Sequence, residues 1–184
     1  MISGPSGVGK GTVVRKLLSS RPALAFSVSS TTREPRPGEE DGVHYRFVSV
    51  EEFERLVGQG AFLEWAEVFG ERYGTPLAEV NRARAGGRHV LLEVDVQGAR
   101  RAKERVPDAV LIFLRPPSEE ELARRLRRRG TEAGRELEWR LEEARREMAE
   151  AGWFDHVVVN DDVDRAVAEV LAIIEGTSSE GDPT

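Results

Sequence analysis

Apolar positions along the chain alternate between two rhythms, one of period 3.6 and one of period 2 or continuous. Val13, Val14, Leu17 and Leu18 in "TVVRKLLSS" fall at helical spacing, and "AFSVS" after them predicts a short strand. Ser30 to Gly42 is polar and broken by Pro35, Pro37 and Gly38, the signature of a loop. "VHYRFVS" alternates, with Val43, Tyr45 and Phe47 on one face, and Ser49 with Glu52 forms a capping box before the helix around Phe53 and Leu56. "FLEWAEVF" predicts another strand, Thr75 and Pro76 a helix start, and Gly86 with Gly87 its end. "HVLLEVDV" and "AVLIFL" are apolar runs that predict buried strands, the first carrying Glu93 and Asp95 at its tip. Ser118 and Glu121 cap an Arg-rich helix that Gly130 closes. Arg135 to Ala151 is helical, "HVVV" a strand, and Val163 to Glu175 a last helix with Val167, Val170, Leu171 and Ile174 on its apolar face. Residues 176–184, small and polar, predict a frayed tail.

Strands alternating with helices predict an α/β fold, a parallel sheet in three layers, with a mostly antiparallel piece inserted over 43–74. At 184 residues the chain is one domain with small insertions. A formal charge of −6 argues against a generic nucleic-acid binder, which needs a basic face. The absence of Cys excludes disulfides, thiolate chemistry and Cys-ligated zinc. No apolar run reaches the length of a membrane span and no secretory leader pattern opens the chain, so the expectation is a cytoplasmic enzyme or binding module with no membrane partner. Nothing in the pattern assigns an oligomeric state.

The first chemistry is in "GPSGVGKGT", residues Gly4 to Thr12, which fits the phosphate-loop spacing G-x-x-x-x-G-K and precedes a helix as that motif requires. Gly4, Pro5, Ser6, Gly7, Val8 and Gly9 form the turn. Its glycines let backbone NH groups converge, the helix adds its positive end, and Lys10 reaches the outer phosphates. Gly11 stands where Ser or Thr usually gives Mg²⁺ a hydroxyl. Either Thr12 supplies that oxygen, directly or through water, or the loop binds phosphate without a well-held metal; Mg²⁺ keeps several waters and leans on substrate phosphates, which favours Thr12. Only Met1, Ile2 and Ser3 precede the loop, against about five residues in an ordinary strand. The expectation is a start upstream of Met1 or a weakened sheet centre.

Taken in order, the loop, "SSTTREPRPGE", "EWAEVFGERYGT", "LEVDVQG", "RRGTE" and "VVVND" are similar to the guanylate kinases over nearly the whole chain. The "GKGT" ending also resembles that of adenylate kinases, so Gly11 is compatible with nucleotide kinases. The resemblance implies a P-loop kinase fold that transfers the terminal phosphate of ATP to GMP with Mg²⁺. It further implies a core (1–29, 76–122, 152–175), a GMP-binding subdomain (30–75) and a lid (123–151).

By position, Arg33, Arg36, Tyr45 and Tyr73 resemble the grip on the GMP phosphate, and two guanidinium forks with two phenols suit a dianion. Taken alone, the arginines read as a solvated loop and the tyrosines as core. Glu64 resembles the guanine reader, with Ser29, Thr75 and Asp95 around it. One carboxylate accepts from guanine's ring NH and amino group together, whereas adenine places an acceptor there, and such a site can discriminate by ~10⁴. The plain alternative is a polar residue on an alternating strand. Asp95 is also a candidate to organise Mg²⁺ through water together with Thr12, with Glu93 as a helper.

Between Arg124 and Arg146 lie nine arginines and five glutamates. Most read as a solvated helical face. Arg125, Arg129 and Arg140 resemble lid arginines that reach ATP phosphates, where one guanidinium can be worth ~10³ in rate. Asn160 and Asp161 resemble the edge of the adenosine site. His44, His89 and His156 sit in unrelated elements, and no general base stands out. A monophosphate acceptor, already anionic, needs none. Two other readings remain: a kinase-like module that binds phosphorylated peptides, which would need neither Lys10 nor the lid arginines, and a kinase for a different small acceptor, against which Glu64 and Tyr73 speak.

Overall fold

A computed structural model describes residues 1–68, 70–128 and 135–176, apart from the side chains of Arg135 and Glu136. In chain order the strands are β1 (Ile2–Ser3), β2 (Ala25–Phe26), β3 (Ser30–Thr31), β4 (Arg46–Phe47), β5 (Phe62–Val68), β6 (Glu71–Pro76), β7 (Val90–Leu91), β8 (Ile112–Arg115) and β9 (His156–Val159). The helices are α1 (Lys10–Ser20), α2 (Val50–Gly58), α3 (Leu77–Ala85), α4 (Val96–Arg105), α5 (Glu119–Arg128), α6 (Arg135–Ala149) and α7 (Val163–Ile174), with a 3₁₀ turn at Ala151–Trp153. The chain divides into two compact units, Arg21–Ala109 with Met1, and Ile2–Ser20 with Val110–Thr184.

In the second unit β1, β8 and β9 form a parallel sheet in that order, with Ile2 opposite Ile112 and Ser3 opposite Phe113. Ile2, Phe113, Leu114 and Val158 are fully buried, as a parallel sheet demands. Apolar positions at helical spacing bury Val13, Val14 and Leu17 of α1 and Ala166, Val167, Val170 and Ile173 of α7. Helices α5 and α6 share a core of Leu122, Leu126 and Ala144, against which Leu137 and Leu141 pack.

The first unit holds a parallel pair, β2 with β7, and a four-stranded sheet of order β4-β3-β6-β5. The latter takes in the stretch expected to be an inserted piece, 43–74, and adds β3 to it. It is antiparallel at β3–β6 and β5–β6 and parallel at β3–β4. Its β3 lies inside the stretch expected to be loop: Ser30 and Thr31 are buried and paired on both sides. The expected strand over "HVLLEVDV" is shorter than its apolar run, ending at Leu91, and Asp95 further on opens a helix. The Asp95 carboxylate accepts from Gly98 N at 2.8 Å and caps α4, which the hydrophobic pattern left unpredicted. The strands over "AFSVS" and "VHYRFVS" are likewise cut to two residues each. Ser49 and Ser118 accept from Glu52 N and Glu121 N, the serine half of each expected capping box, while the carboxylate of Glu52 accepts from Arg55 and that of Glu121 from Arg124 and Arg125.

Candidate functional site

The loop of residues 4–9 joins β1 to α1. Gly4, Gly7 and Gly9 have φ of 144°, 86° and 101°, conformations that L side chains rarely adopt. Space forbids a side chain there as well. A Cβ on Gly4 would stand 2.3 Å from the carbonyl oxygen of Leu114, and one on Gly9 would stand 2.7 Å from Nδ2 of Asn160. Thr12 N and Val13 N both donate to Gly9 O at 3.1 Å, so the helix begins directly at the loop and aims its positive end into it. Lys10 Nζ donates to Gly4 O at 2.5 Å, folded over the loop's own backbone. Thr12 is exposed in the first turn and its hydroxyl takes a long contact, 3.5 Å, from Arg15. Gly11 adds no side-chain oxygen.

Two predicted residues turn out to brace this loop. Arg125 gives Nε to Glu121 at 2.7 Å, one terminal nitrogen to Val8 O and the other to Asn160 O, both at 2.9 Å. Asn160, 1% exposed, donates Nδ2 to Val8 O at 2.8 Å. Asp161 is exposed and paired with Arg165. Arg140 is half-buried on α6. Arg129 and the "RGTE" segment lie outside the described residues.

Most of the residues predicted for the acceptor lie on or beside the four-stranded sheet. Arg33 Cζ lies 5.4 Å from the Tyr45 ring centroid, and the Tyr45 and Tyr73 rings meet edge-on at 5.9 Å. Three of the four predicted phosphate-gripping side chains are thus together. Arg36 follows on the exposed turn, its backbone NH donating to Glu39 at 2.8 Å. Sequence reasoning missed Glu39, whose two oxygens each accept from Arg33 Nη2 at 2.9 Å. Burial opposes charge on both partners. Their hydrogen bonds outweigh it, raising Arg33 and lowering Glu39, so both stay ionised. Burial pushes the Tyr45 phenol up, with the charge of Glu93 adding to it, and keeps it a hydrogen-bond donor.

Glu64 is only 7% exposed, which separates it from an ordinary solvent-facing strand residue. It stands opposite Thr75 in the β5–β6 ladder, where the register slips between Phe62 and Glu64, and Thr75 Oγ1 donates to Glu64 Oε1 at 2.5 Å. Burial raises its pKa to about 7; the charge of Asp95 adds to this, while Thr75 and Arg101 oppose it. Ser29 lies just before β3 and its carbonyl accepts from Arg46 N at 2.9 Å. Asp95 carries two attachments at once, the α4 cap and proximity to Glu64. Among the described residues no three His, Cys, Asp or Glu side chains form a metal cage.

The sequence matches the guanylate kinase family model over residues 1–177. The chain belongs to the guanylate kinase family. It is 52% identical over 174 residues to the guanylate kinase of Symbiobacterium thermophilum, covering 95% of this chain and 82% of that one. It is 52% identical over 180 residues to the guanylate kinase of Thermobifida fusca, covering 98% and 92%. The fold is similar to the crystal structure of guanylate kinase from Anaplasma phagocytophilum, with a TM-score of 0.79 and 36% identity over 95% of this chain and 82% of that one. A shikimate kinase from Bacteroides thetaiotaomicron shares the fold alone, at a TM-score of 0.53 and 16% identity. The parallel α/β P-loop kinase class read from the sequence is the class observed. No helix among the described residues is long and apolar enough to cross a membrane.

Proposed function

We propose that this guanylate kinase family member transfers the terminal phosphate of ATP to GMP, giving ADP and GDP, and so serves purine nucleotide metabolism. The observation that carries the choice of acceptor is the buried Glu64 carboxylate, held by Thr75 on one oxygen. In its ionised form it accepts from guanine's ring NH and amino group, while adenine would leave it facing an acceptor. Ser29 and Asp95 complete the base pocket. Arg33, Tyr45 and Tyr73 bind the acceptor phosphate, joined by Arg36. The division into a GMP-binding part (30–75) and a lid (123–151) belongs to this proposal.

The donor triphosphate sits on the backbone NH groups that residues 4–12 offer, Pro5 having none, with Asn160 and Asp161 toward the adenosine. Lys10 leaves Gly4 O for the outer phosphates. The acceptor phosphate oxygen is already anionic, so no base removes a proton. It bonds to the terminal phosphorus of ATP as the bond to the bridging oxygen breaks, and the leaving charge passes to ADP. Lys10, Arg125, Arg129 and Arg140 are assigned to that charge. Arg125 must give up its carbonyl partners to act directly; where it keeps them, it holds the loop in shape. The Thr12 hydroxyl, exposed at the helix start, is a hard oxygen donor that suits Mg²⁺; Asp95, through water, is the other candidate for holding the ion. Bound with ATP, the ion neutralises phosphate charge.

An assay of ADP release with GMP, AMP, UMP and no acceptor tests this reading. Turnover with GMP alone is expected, and Glu64→Gln should erode the preference because the amide presents a donor to a donor. Equal turnover of AMP, or an undiminished GMP preference in the variant, overturns the acceptor assignment.

A further inference from the structure

Strand β5 is the edge of its sheet, and the side chains of α4 meet its open backbone. Arg105 Nη1 donates to the carbonyls of Phe62 at 2.7 Å and Leu63 at 2.9 Å, and Arg101 donates to the carbonyl of Trp65 and stacks over its ring. These guanidinium groups satisfy acceptors that an edge strand otherwise leaves open. They hold α4 by the carbonyls on both sides of Glu64. Gly98, Arg101 and Arg105 are spaced i, i+3, i+7 and share one helical face. At Glu64, that face presents a glycine.

Gly98 is an ordinary helical residue, not among the glycines with positive φ, so backbone conformation does not call for it. Helix propensity argues against it, since alanine is the better residue inside a helix. The space around it supplies the reason. A Cβ at Gly98 would lie 2.5 Å from Glu64 Oε2, 3.1 Å from Glu64 Cδ and 2.8 Å from Asp95 Oδ1. The carboxylates of Glu64 and Asp95 therefore converge on the point where any other residue would put its first side-chain carbon. Neither can retreat freely: Glu64 is buried and tied to Thr75, and Asp95 holds the Gly98 NH as the helix cap.

We infer that Gly98 is a specificity-determining position, a socket whose missing side chain lets Glu64 sit beside Asp95 in the geometry that reads guanine. The inference rests on the proposed GMP phosphorylation. Gly98 touches no reacting atom. It acts by positioning Glu64, and its replacement acts on acceptor choice and acceptor KM before it acts on ATP.

The test compares wild type, Gly98→Ala, Glu64→Asp and the double variant Gly98→Ala/Glu64→Asp with GMP and AMP as acceptors, and measures KM for ATP in each. In Gly98→Ala the GMP-over-AMP ratio of kcat/KM is expected to fall about tenfold or more, with KM for GMP raised and KM for ATP unchanged. Glu64→Asp, one methylene shorter, should be less damaging in the Gly98→Ala background than in wild type, because the shorter acid vacates the collision point. Unchanged acceptor discrimination in Gly98→Ala overturns the inference, as does strict additivity of the pair. Should Gly98→Ala fail to fold, Gly98→Ala/Glu64→Ala removes the obstructing carboxylate and must regain a cooperative thermal transition; failure to do so also overturns it. A wild-type enzyme without GMP activity would defeat the functional reading itself, which the wild-type arm detects separately.

Discussion

Glu64 sets a pH dependence that can be worked out in sign. Its pKa is about 7 in the folded chain against an ordinary 4.5, raised first by burial and then by Asp95. Guanine offers two donors, so binding selects the ionised form. Affinity for GMP should therefore fall by up to about tenfold per unit as pH drops below about 7, and GMP binding near neutrality should release a proton from this carboxyl. Titration calorimetry in buffers of different ionisation enthalpy, with wild type and Glu64→Gln side by side, checks it: the titration of the GMP phosphate is common to both proteins and cancels. Stability runs the other way. Between about pH 4.5 and about 7 the folded ligand-free chain holds a proton that the unfolded chain has lost, so rising pH removes stability, by about 3 kcal/mol across the window, and leaves it level above. The difference in unfolding free energy between wild type and Glu64→Gln, followed from about pH 5 to about pH 8, isolates that slope. A flat difference contradicts the burial of the charge.

At the level of elements, the phosphate loop is held by geometry on every side. Gly38 also has a positive φ, but nothing lies within 4 Å of a Cβ placed there, so Gly38→Ala should cost only the backbone term, about 1–2 kcal/mol. Gly4→Ala adds a collision with a backbone carbonyl that cannot swing aside, and should cost more than about 3 kcal/mol or abolish folding. Urea unfolding of the two variants checks the order. Arg125→Ala strips a donor from each of Val8 O and Asn160 O and should cost about 1–3 kcal/mol as well as raising KM for ATP. Arg124→Ala, an exposed neighbour that pairs with Glu121 among the described residues, should fall within about 0.5 kcal/mol of wild type. The loop was legible in sequence because glycine spacing reports backbone conformation directly, and Ser49 and Ser118 were legible because a cap is a local bond. The β3 strand and the α4 helix were not. Ser30 and Thr31 are strand only because partners on both sides claim them, and α4 buries small residues, Ala99 and Ala102, that leave little hydrophobic signal. Glu39, Gly98, Arg101 and Arg105 escaped for the same reason: each matters through a neighbour distant in sequence or through space it leaves empty.

Taken over the whole molecule, the proposed sites are assembled separately within the two units. Arg33, Tyr45, Glu64, Tyr73, Thr75 and Asp95 all belong to Arg21–Ala109, whereas the phosphate loop, Arg125 and Asn160 belong to the other unit. With a formal charge of −6, the chain attracts anions through these local donors and not through its overall field. Each nucleotide should accordingly bind and stabilise the protein without the other. At about 100 times its Kd a ligand that binds only the folded state adds about 2.7 kcal/mol, and a chain of this length gains about 2–4 °C per kcal/mol. GMP alone and ATP alone should thus each raise Tm by several degrees. Glu64→Gln should lose most of the GMP shift and keep the ATP shift; Lys10→Met should do the reverse, since its ammonium lies on the loop's own carbonyls, Gly4 O and Pro5 O, among the described residues. Thermal melts of the three proteins with each nucleotide decide it. If GMP stabilises the wild type only when ATP is present, the acceptor site is not built by the first unit's own residues, and the assignment of Glu64 and Arg33 to an independent pocket fails.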